Sequence, residues 1–148
     1  MTRKYLVSLL TSSKLNFLIE SYNSIVCQNN HDIDYDILIM VNTLNKDYYH
    51  HVINYFKSIN TKNKFKNKVI ITQSESNGKP GKGHNSVLNF FKSHNEYDYI
   101  LMFDGDDFIY PCALQRIQHY MYYNPDILML PFSDILNSQY NNSFGIPL

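Results

Sequence analysis

Three carboxylates lie within four consecutive residues near the middle of the chain. Asp104, Asp106 and Asp107 surround Gly105 and directly follow an apolar run at residues 99–103. Crowding of like charge in one turn is unfavourable, and a divalent cation would offset it. Mg²⁺ and Mn²⁺ prefer hard oxygen ligands and commonly take one or two carboxylates, with water and phosphate oxygens completing the shell. The pattern predicts a metal site, and a solvated Asp-rich turn that leads into a helix is the alternative.

A second polar segment, residues 73–83, lies upstream and contains several residues that favour turns, namely Gly78, Pro80, Gly81 and Gly83. We predict a loop without regular structure there, followed by a short helix. Lys79 and Lys82 could approach a phosphate, because the start of a helix offers free N–H groups to anions. Solvated lysines in a mobile loop are the alternative. His84 could donate to a base or a phosphate, or it could be a structural or surface histidine.

Short apolar runs alternate with helical patterns along the chain, and this alternation defines the elements that must position those side chains. The runs are residues 5–10, 37–41, 69–72, 99–103 and 127–130. Strands that alternate with helices at this spacing predict βαβ units and a mostly parallel α/β sheet with helices on both faces. In such sheets ligands bind outside the carboxyl ends of the strands. The four loops after the first four runs should therefore line one crevice.

The helical segments follow from apolar residues that recur at three and four residue spacing. We expect a first helix capped by Ser13, a second that carries Val52 and Phe56, and a lysine-rich connector at residues 57–68. Pro111 suits the first turn of a last helix, because its missing N–H has no partner to lose there.

Composition limits the number of domains and the class of partner. The 148 residues are 44% hydrophobic and carry a formal net charge of zero. We therefore expect one domain, residues 1–136, followed by a loose polar tail at residues 137–148. Zero net charge argues against nucleic acid as a partner. No run approaches the roughly 18 apolar residues of a membrane span.

The two cysteines and the first ten residues indicate a compartment. Cys27 and Cys112 fall in predicted helices with no metal-ligand spacing, and we expect ordinary buried thiols. Residues 1–10 lack the apolar core and cleavage site of a signal peptide. A soluble, reducing, cytoplasmic setting is the expectation.

Four segments together resemble a known family. Residues 100–107, I-L-M-F-D-G-D-D, resemble the D-x-D-D segment of the large inverting family two of GT-A glycosyltransferases. Residues 7–11 are similar to the first strand of that family, residues 24–28 to its helix ending in glutamine, and residues 77–85 to its glycine-rich stretch. The four landmarks occur in the family's order and cover nearly the whole chain. The resemblance implies a Rossmann-like GT-A nucleotide-binding domain.

The same resemblance implies roles for individual residues. Asp106 would coordinate Mn²⁺ or Mg²⁺, and Asp104 would contact the ribose or share the metal shell. Asp107 could help either, and Thr11 would lie beside the nucleotide or serve only as a turn residue. The ligand would be a UDP- or GDP-sugar, and the acceptor a hydroxyl of a glycan, lipid or protein.

Two positions depart from the family pattern. Asn42 stands where the family usually has an aspartate that accepts a hydrogen bond from uracil. An amide oxygen can still accept, but it lacks the charge and the amide also offers a donor. His84 occupies the position of a family arginine. The base of the nucleotide is therefore open.

The catalytic base of the family lies beyond the fifth strand, in a segment that has no counterpart here. Asp134 follows the fifth run but is not at the family position, so the base is unassigned, with Asp134 as the one candidate. We expect a donor half without its acceptor half. The chain is then a fragment, or a partner or second copy in a homo-oligomer supplies the rest.

Other functional classes remain open. A noncatalytic module that binds a nucleotide sugar or a metal is the main alternative, because the base is missing. A nucleotidyltransferase is a poorer match, since residues 11–14 lack the basic, glycine-rich motif of that class. A viral RNA polymerase uses a similar G-D-D turn but needs a much longer chain.

Overall fold

A computed structural model describes residues 3–28, 33–62 and 67–123. The elements in chain order are β1 Lys4–Thr11, α1 Leu15–Val26, β2 Asp34–Val41, α2 Lys46–Lys62, β3 Val69–Gln73, α3 Pro80–Lys92, β4 Tyr99–Asp104 and α4 Ala113–Tyr123. The chain divides into two compact units, Met1–Gln115 and Arg116–Leu148. The first unit contains the sheet and helices α1 to α3, and the described part of the second is the end of α4. The predicted domain of residues 1–136 and the tail of residues 137–148 stay predictions.

The four described strands form one parallel sheet in the order β3-β2-β1-β4. The two central strands are buried along nearly their whole length, as expected for a parallel sheet covered on both faces. Strands alternate with helices throughout. The predicted α/β class with a mostly parallel sheet is therefore confirmed.

Helices cover both faces of the sheet. On one face Val87 of α3 packs in a cluster with even-numbered strand residues, among them Leu6 and Leu38. On the other face the rings of Tyr22 in α1 and Phe56 in α2 meet edge to face with centroids 4.9 Å apart. Successive side chains of a strand point to opposite faces, so the two sets of strand residues serve different helices.

The connections define a switch point between β1 and β4. From β1 the chain moves outward to β2 and then β3, with α1 and α2 on one face. It then returns through α3, on the other face, to β4 on the far side of β1. At such a reversal the loops diverge and leave a crevice at the carboxyl ends of the strands. The loops after β1 and β4 meet at this point, where the Gly105 N–H donates to the Leu10 carbonyl.

At the amino ends of the strands, away from the acidic turn, a buried carboxylate accepts hydrogen bonds from three donors. Asp36 is 3% exposed and accepts from Lys4 Nζ at 2.8 Å, the Lys68 backbone N–H at 2.8 Å and the Tyr97 hydroxyl at 2.9 Å. Burial opposes ionisation, but these bonds hold the pKa of Asp36 below its usual 3.8. β2 begins at Asp34, three residues before the apolar run, because its backbone pairs with β1 from Lys4 onward.

Five local predictions were wrong. Pro111 lies in the turn before α4, which begins at Ala113, and not in the first turn of that helix. Residues 80–83 are helical, because Pro80 occupies the first turn of α3, where its missing N–H has no intrahelical partner. Residues 57–62 continue α2. The cap position of α1 is Lys14, with a left-handed φ of 61° and no side-chain cap, so Ser13 is not the cap. Cys27 is exposed and Cys112 half-buried, because both lie at helix ends. The run at residues 127–130 lies outside the described residues.

Candidate active site

The acidic turn lies directly against the end of β1. Leu10 is the register partner of Asp104, and the Gly105 N–H donates to the Leu10 carbonyl at 2.7 Å. A Cβ on Gly105 would lie 2.9 Å from both the Leu10 carbonyl oxygen and Thr11 Cβ. Glycine is therefore required for this close approach of the turn to the strand.

Within the turn the three carboxylates have different surroundings. The Asp107 N–H donates to the Asp104 carbonyl at 3.1 Å, and Asp107 Oδ2 accepts from the Asp104 N–H at 3.3 Å. The side chain of Asp104 is 53% exposed, and Asp106 is exposed as well. All three residues are exposed, and Asp107 in addition takes part in closing the turn.

His84 connects the glycine-rich segment with the acidic turn. Its Nε2 lies 3.1 Å from Asp104 Oδ1, and its side chain is 37% exposed. The two residues are 20 positions apart in sequence and belong to α3 and β4. The contact is an ion pair when the imidazole is protonated and a hydrogen bond when a neutral ring carries its proton on Nε2. The structure therefore brings these two predicted residues together.

Thr11 lies beneath the turn and is 5% exposed. Its Oγ1 is 2.6 Å from the hydroxyl oxygen of Tyr48, and that hydroxyl also donates to the Ser13 carbonyl at 3.2 Å. Burial raises the pKa of Tyr48, so this hydroxyl stays protonated as a donor. The pair fixes the conformation of the loop after β1 from inside.

The sequence interpretation missed Tyr48. A signal was available, because Tyr48 precedes Val52 and Phe56 by four and eight residues and so shares their buried helix face.

Asn42 lies at the end of β2 and is 3% exposed. Its Oδ1 accepts from Ser74 Oγ at 2.7 Å, and its Nδ2 donates to the Lys79 carbonyl at 3.2 Å. Its backbone N–H donates to the Thr11 carbonyl, and its backbone carbonyl accepts from the Gly78 N–H at 2.7 Å. Asn42 therefore braces the loops after β1, β2 and β3 against one another.

The start of α3 docks onto the same asparagine. A Cβ on Gly83 would lie 2.6 Å from Asn42 Nδ2 and 2.8 Å from Leu10 Cδ1, so only glycine fits without displacement. Lys79 and Lys82 are exposed in this region. The close docking of α3 brings His84 within reach of the acidic turn.

The donor set limits what metal chemistry the turn can support. In the described part of the chain, no group of three or more His, Cys, Asp or Glu side chains is arranged to hold a metal ion. The turn instead offers exposed carboxylates, of which Asp104 and Asp106 leave Asp107 to bond the Asp104 N–H. That set fits a Mg²⁺ or Mn²⁺ site in which substrate phosphates and water supply the other ligands.

Comparison with solved structures shows the fold. The crystal structure of S. aureus TarS 1–349 matches with a TM-score of 0.61 at 21% identity, over 81% of this chain and 32% of that one. TarS 1–349 in complex with UDP-GlcNAc matches with the same TM-score and identity. A structure of S. aureus TarS matches with a TM-score of 0.57, over 84% of this chain and 20% of that one. The expected GT-A fold is confirmed, and the chain spans about a third of the length of TarS 1–349.

Sequence comparison adds no relative, since no protein-family model matches the chain and no curated protein matches it. None of the helices in the described ranges combines the length and the hydropathy that a membrane crossing requires.

Proposed function

We propose that this chain is the donor-binding part of a metal-dependent glycosyltransferase that moves a sugar from a nucleoside diphosphate to an acceptor hydroxyl with inversion. One observation carries the proposal: the acidic turn lies at the switch point of a GT-A sheet, with His84 of α3 in contact with Asp104. The fold is shared with TarS, which has been crystallised with UDP-GlcNAc and with UDP.

A UDP-sugar is the donor that these neighbours favour, with a GDP-sugar as the alternative. The brace formed by Asn42 bears on this choice, because its amide oxygen already accepts from Ser74. A carbonyl oxygen has a second lone pair and could still accept from a nucleobase. Asn42 would then read the base and brace the loops at once.

Asp104 and Asp106 are the residues that would hold Mn²⁺ or Mg²⁺. A bound divalent cation would offset the charge that develops on the departing diphosphate.

The residues of the chain itself would bind and orient the donor. Gly105 lets the turn lie on the end of β1, which places Asp104 and Asp106 beside the proposed donor site. His84 Nε2 could exchange its contact with Asp104 for one with a phosphate oxygen. Thr11, fixed by Tyr48, would form the floor beside the nucleotide. Lys79 and Lys82 would add positive charge at the start of α3, where free N–H groups favour anions.

The acceptor hydroxyl must lose a proton as it attacks the anomeric carbon. Asp134 is the one candidate base that the sequence offers, and it lies outside the described residues. A glycan, lipid or protein acceptor would bind on the side of the crevice that a further segment, a partner or a second copy completes.

Titration calorimetry with UDP-GlcNAc and GDP-mannose, each with and without Mn²⁺, tests the proposal. We expect binding of one nucleotide sugar that requires Mn²⁺, together with release of nucleoside diphosphate when an acceptor hydroxyl or water attacks the anomeric carbon. Binding without turnover would favour the noncatalytic module. Absence of binding to any nucleotide sugar would contradict both. Glu96→Ala is a matched control, because Glu96 is exposed and precedes β4, at the end of the sheet away from the acidic turn.

A further inference from the structure

The buried amide of Gln28 holds the backbone that follows the acidic turn. Gln28 is 7% exposed and lies just beyond the end of α1. Its Nε2 donates to the Ser24 carbonyl and to the Tyr110 carbonyl, each at 2.7 Å. Its Oε1 accepts from the Leu114 N–H at 3.2 Å. Both donors and the acceptor of the amide are thus used, which offsets the cost of burying it.

Ser24, one turn earlier on α1, holds the same backbone from a second point. Its Oγ accepts from the Ile109 N–H at 3.1 Å and donates to the Ser21 carbonyl at 2.7 Å. One side chain of α1 and one just beyond its end therefore hold three backbone groups of residues 109–114, which are more than 80 positions away in sequence. We call this arrangement, Ser24 and Gln28 with residues 109–114, the α1 clamp.

The clamp gives one backbone N–H of α4 a hydrogen-bond partner that the helix itself lacks. Leu114 is the second residue of α4, and the first N–H groups of a helix have no partner within it. Gln28 supplies that partner from another element. The start of α4 is therefore held by the residue that follows the end of α1.

The acidic turn is held at both ends as a result. On one side the Gly105 N–H is bonded to the Leu10 carbonyl at 2.7 Å, and on the other side the clamp begins at Ile109. Between these anchors lie Asp106, Asp107 and Phe108, which are all exposed. Within this span the Asp107 N–H donates to the Asp104 carbonyl at 3.1 Å, so the turn is also closed from inside.

We propose that Ser24 and Gln28 are positioning residues that keep the acidic turn in its ligand-ready conformation before a cation and a diphosphate arrive. Binding then costs less, because less loop ordering is required at that moment. The identity of the ligand rests on the function proposed above. The clamp itself rests on the hydrogen bonds alone.

The absence of tryptophan from the sequence allows a direct test without ligand. Phe108 is 73% exposed, so Phe108→Trp should be tolerated and places a single indole between the two anchors. We expect its fluorescence anisotropy to fall when Gln28→Met is added, since methionine keeps the shape and removes all three bonds. Ser24→Ala, which removes one bond to the segment, should give a smaller fall.

Tyr97→Phe is the matched control. It removes one buried hydrogen bond, to Asp36, at the amino ends of the strands. The anisotropy of the indole should not change. Ser24→Ala removes so little that it should fold even if Gln28→Met does not. An anisotropy that is the same in all of these variants would overturn the clamp.

Calorimetry with Mn²⁺ and UDP gives the second readout. We expect Gln28→Met to raise the Kd about tenfold, equivalent to roughly 1.4 kcal/mol, and Ser24→Ala to raise it about threefold. Tyr97→Phe should leave it unchanged. If the anisotropy of the indole falls but the Kd does not change, the positioning role is overturned. If the unmodified chain binds no Mn²⁺ and UDP, the proposed function fails, whereas the clamp is still judged by the indole.

Discussion

Two glycines in the first turn of α3 have opposite surroundings. A Cβ on Gly83 would lie 2.6 Å from the Asn42 side chain, whereas nothing lies within 4 Å of a Cβ on Gly81. We expect Gly83→Ala to lower the free energy of unfolding by about 1 to 3 kcal/mol, because the added methyl must displace packed atoms. Gly81→Ala should raise it by about 0.4 to 1 kcal/mol, because it restricts the unfolded chain at no steric cost. Urea denaturation measures both, and equal effects would contradict this packing.

Gly105 allows the acidic turn to lie on β1. In Gly105→Ala the methyl would lie 2.9 Å from the Leu10 carbonyl oxygen, a backbone atom that cannot turn aside. We expect the turn to lift from the strand and Mn²⁺-dependent UDP binding to weaken about tenfold or more, by roughly 1.4 kcal/mol. Calorimetry checks this, with Gly81→Ala as the control. Unchanged affinity would mean that the turn does not need this contact.

Single residues were predictable where the chemistry was local. The acidic turn follows a strand and contains its own glycine, so its position could be predicted from eight consecutive residues. The bracing role of Asn42 could not, because its partners Ser74 and Lys79 become neighbours only when three loops converge. The Asp104–His84 contact was hidden for the same reason.

At the level of elements, periodicity located the strands and helices well and their ends less well. The start of α3 was misread because Pro80, Gly81 and Gly83 usually interrupt regular structure. In this protein Pro80 suits the first turn, and Gly83 allows the helix to pack against Asn42. Such packing is tertiary information that a window of sequence does not contain.

The hydrogen bonds of Asp36, at the amino ends of the strands, predict that the stability of the fold depends on pH. The folded pKa of Asp36 lies below its ordinary value of 3.8, so its contribution to stability is present above that value. It should be lost as the pH falls from about 5 through the folded pKa. In Asp36→Asn this part of the acid-induced loss of stability should be absent, and stability at neutral pH should fall by on the order of 2 kcal/mol.

Urea midpoints measured from neutral to acidic pH test this prediction. Glu96→Gln is the control, because that exposed carboxylate should leave the acid limb of the curve in place. An acid limb of the same depth in Asp36→Asn and in the unmodified chain would show that other carboxylates carry the effect.

For the molecule as a whole, the alternation of elements predicted the α/β class but not the order of the strands. The order β3-β2-β1-β4 depends on which way the chain returns after β3, and hydrophobic patterns carry no such information. The order matters because it places the ends of β1 and β4 side by side. It thereby brings the acidic turn, Thr11 and His84 together at one end of the sheet.

The likeness to TarS shows the fold and covers only part of that protein. The matched region is about a third of TarS 1–349. The donor side can therefore be tested on this chain directly, whereas the base and the acceptor side depend on residues outside the described ranges.

Thermal unfolding of the chain with UDP, UDP-GlcNAc or GDP, each with and without Mn²⁺, tests the central claim most directly. A ligand at about 100 times its Kd stabilises the native state by roughly 2.7 kcal/mol, which corresponds to a Tm rise of several degrees. We expect a rise with one nucleotide only when Mn²⁺ is present. It should be lost in Asp106→Ala and kept in Glu96→Ala. Equal rises in the unmodified chain and Asp106→Ala, or no rise with any nucleotide, would contradict a metal and diphosphate site at this turn.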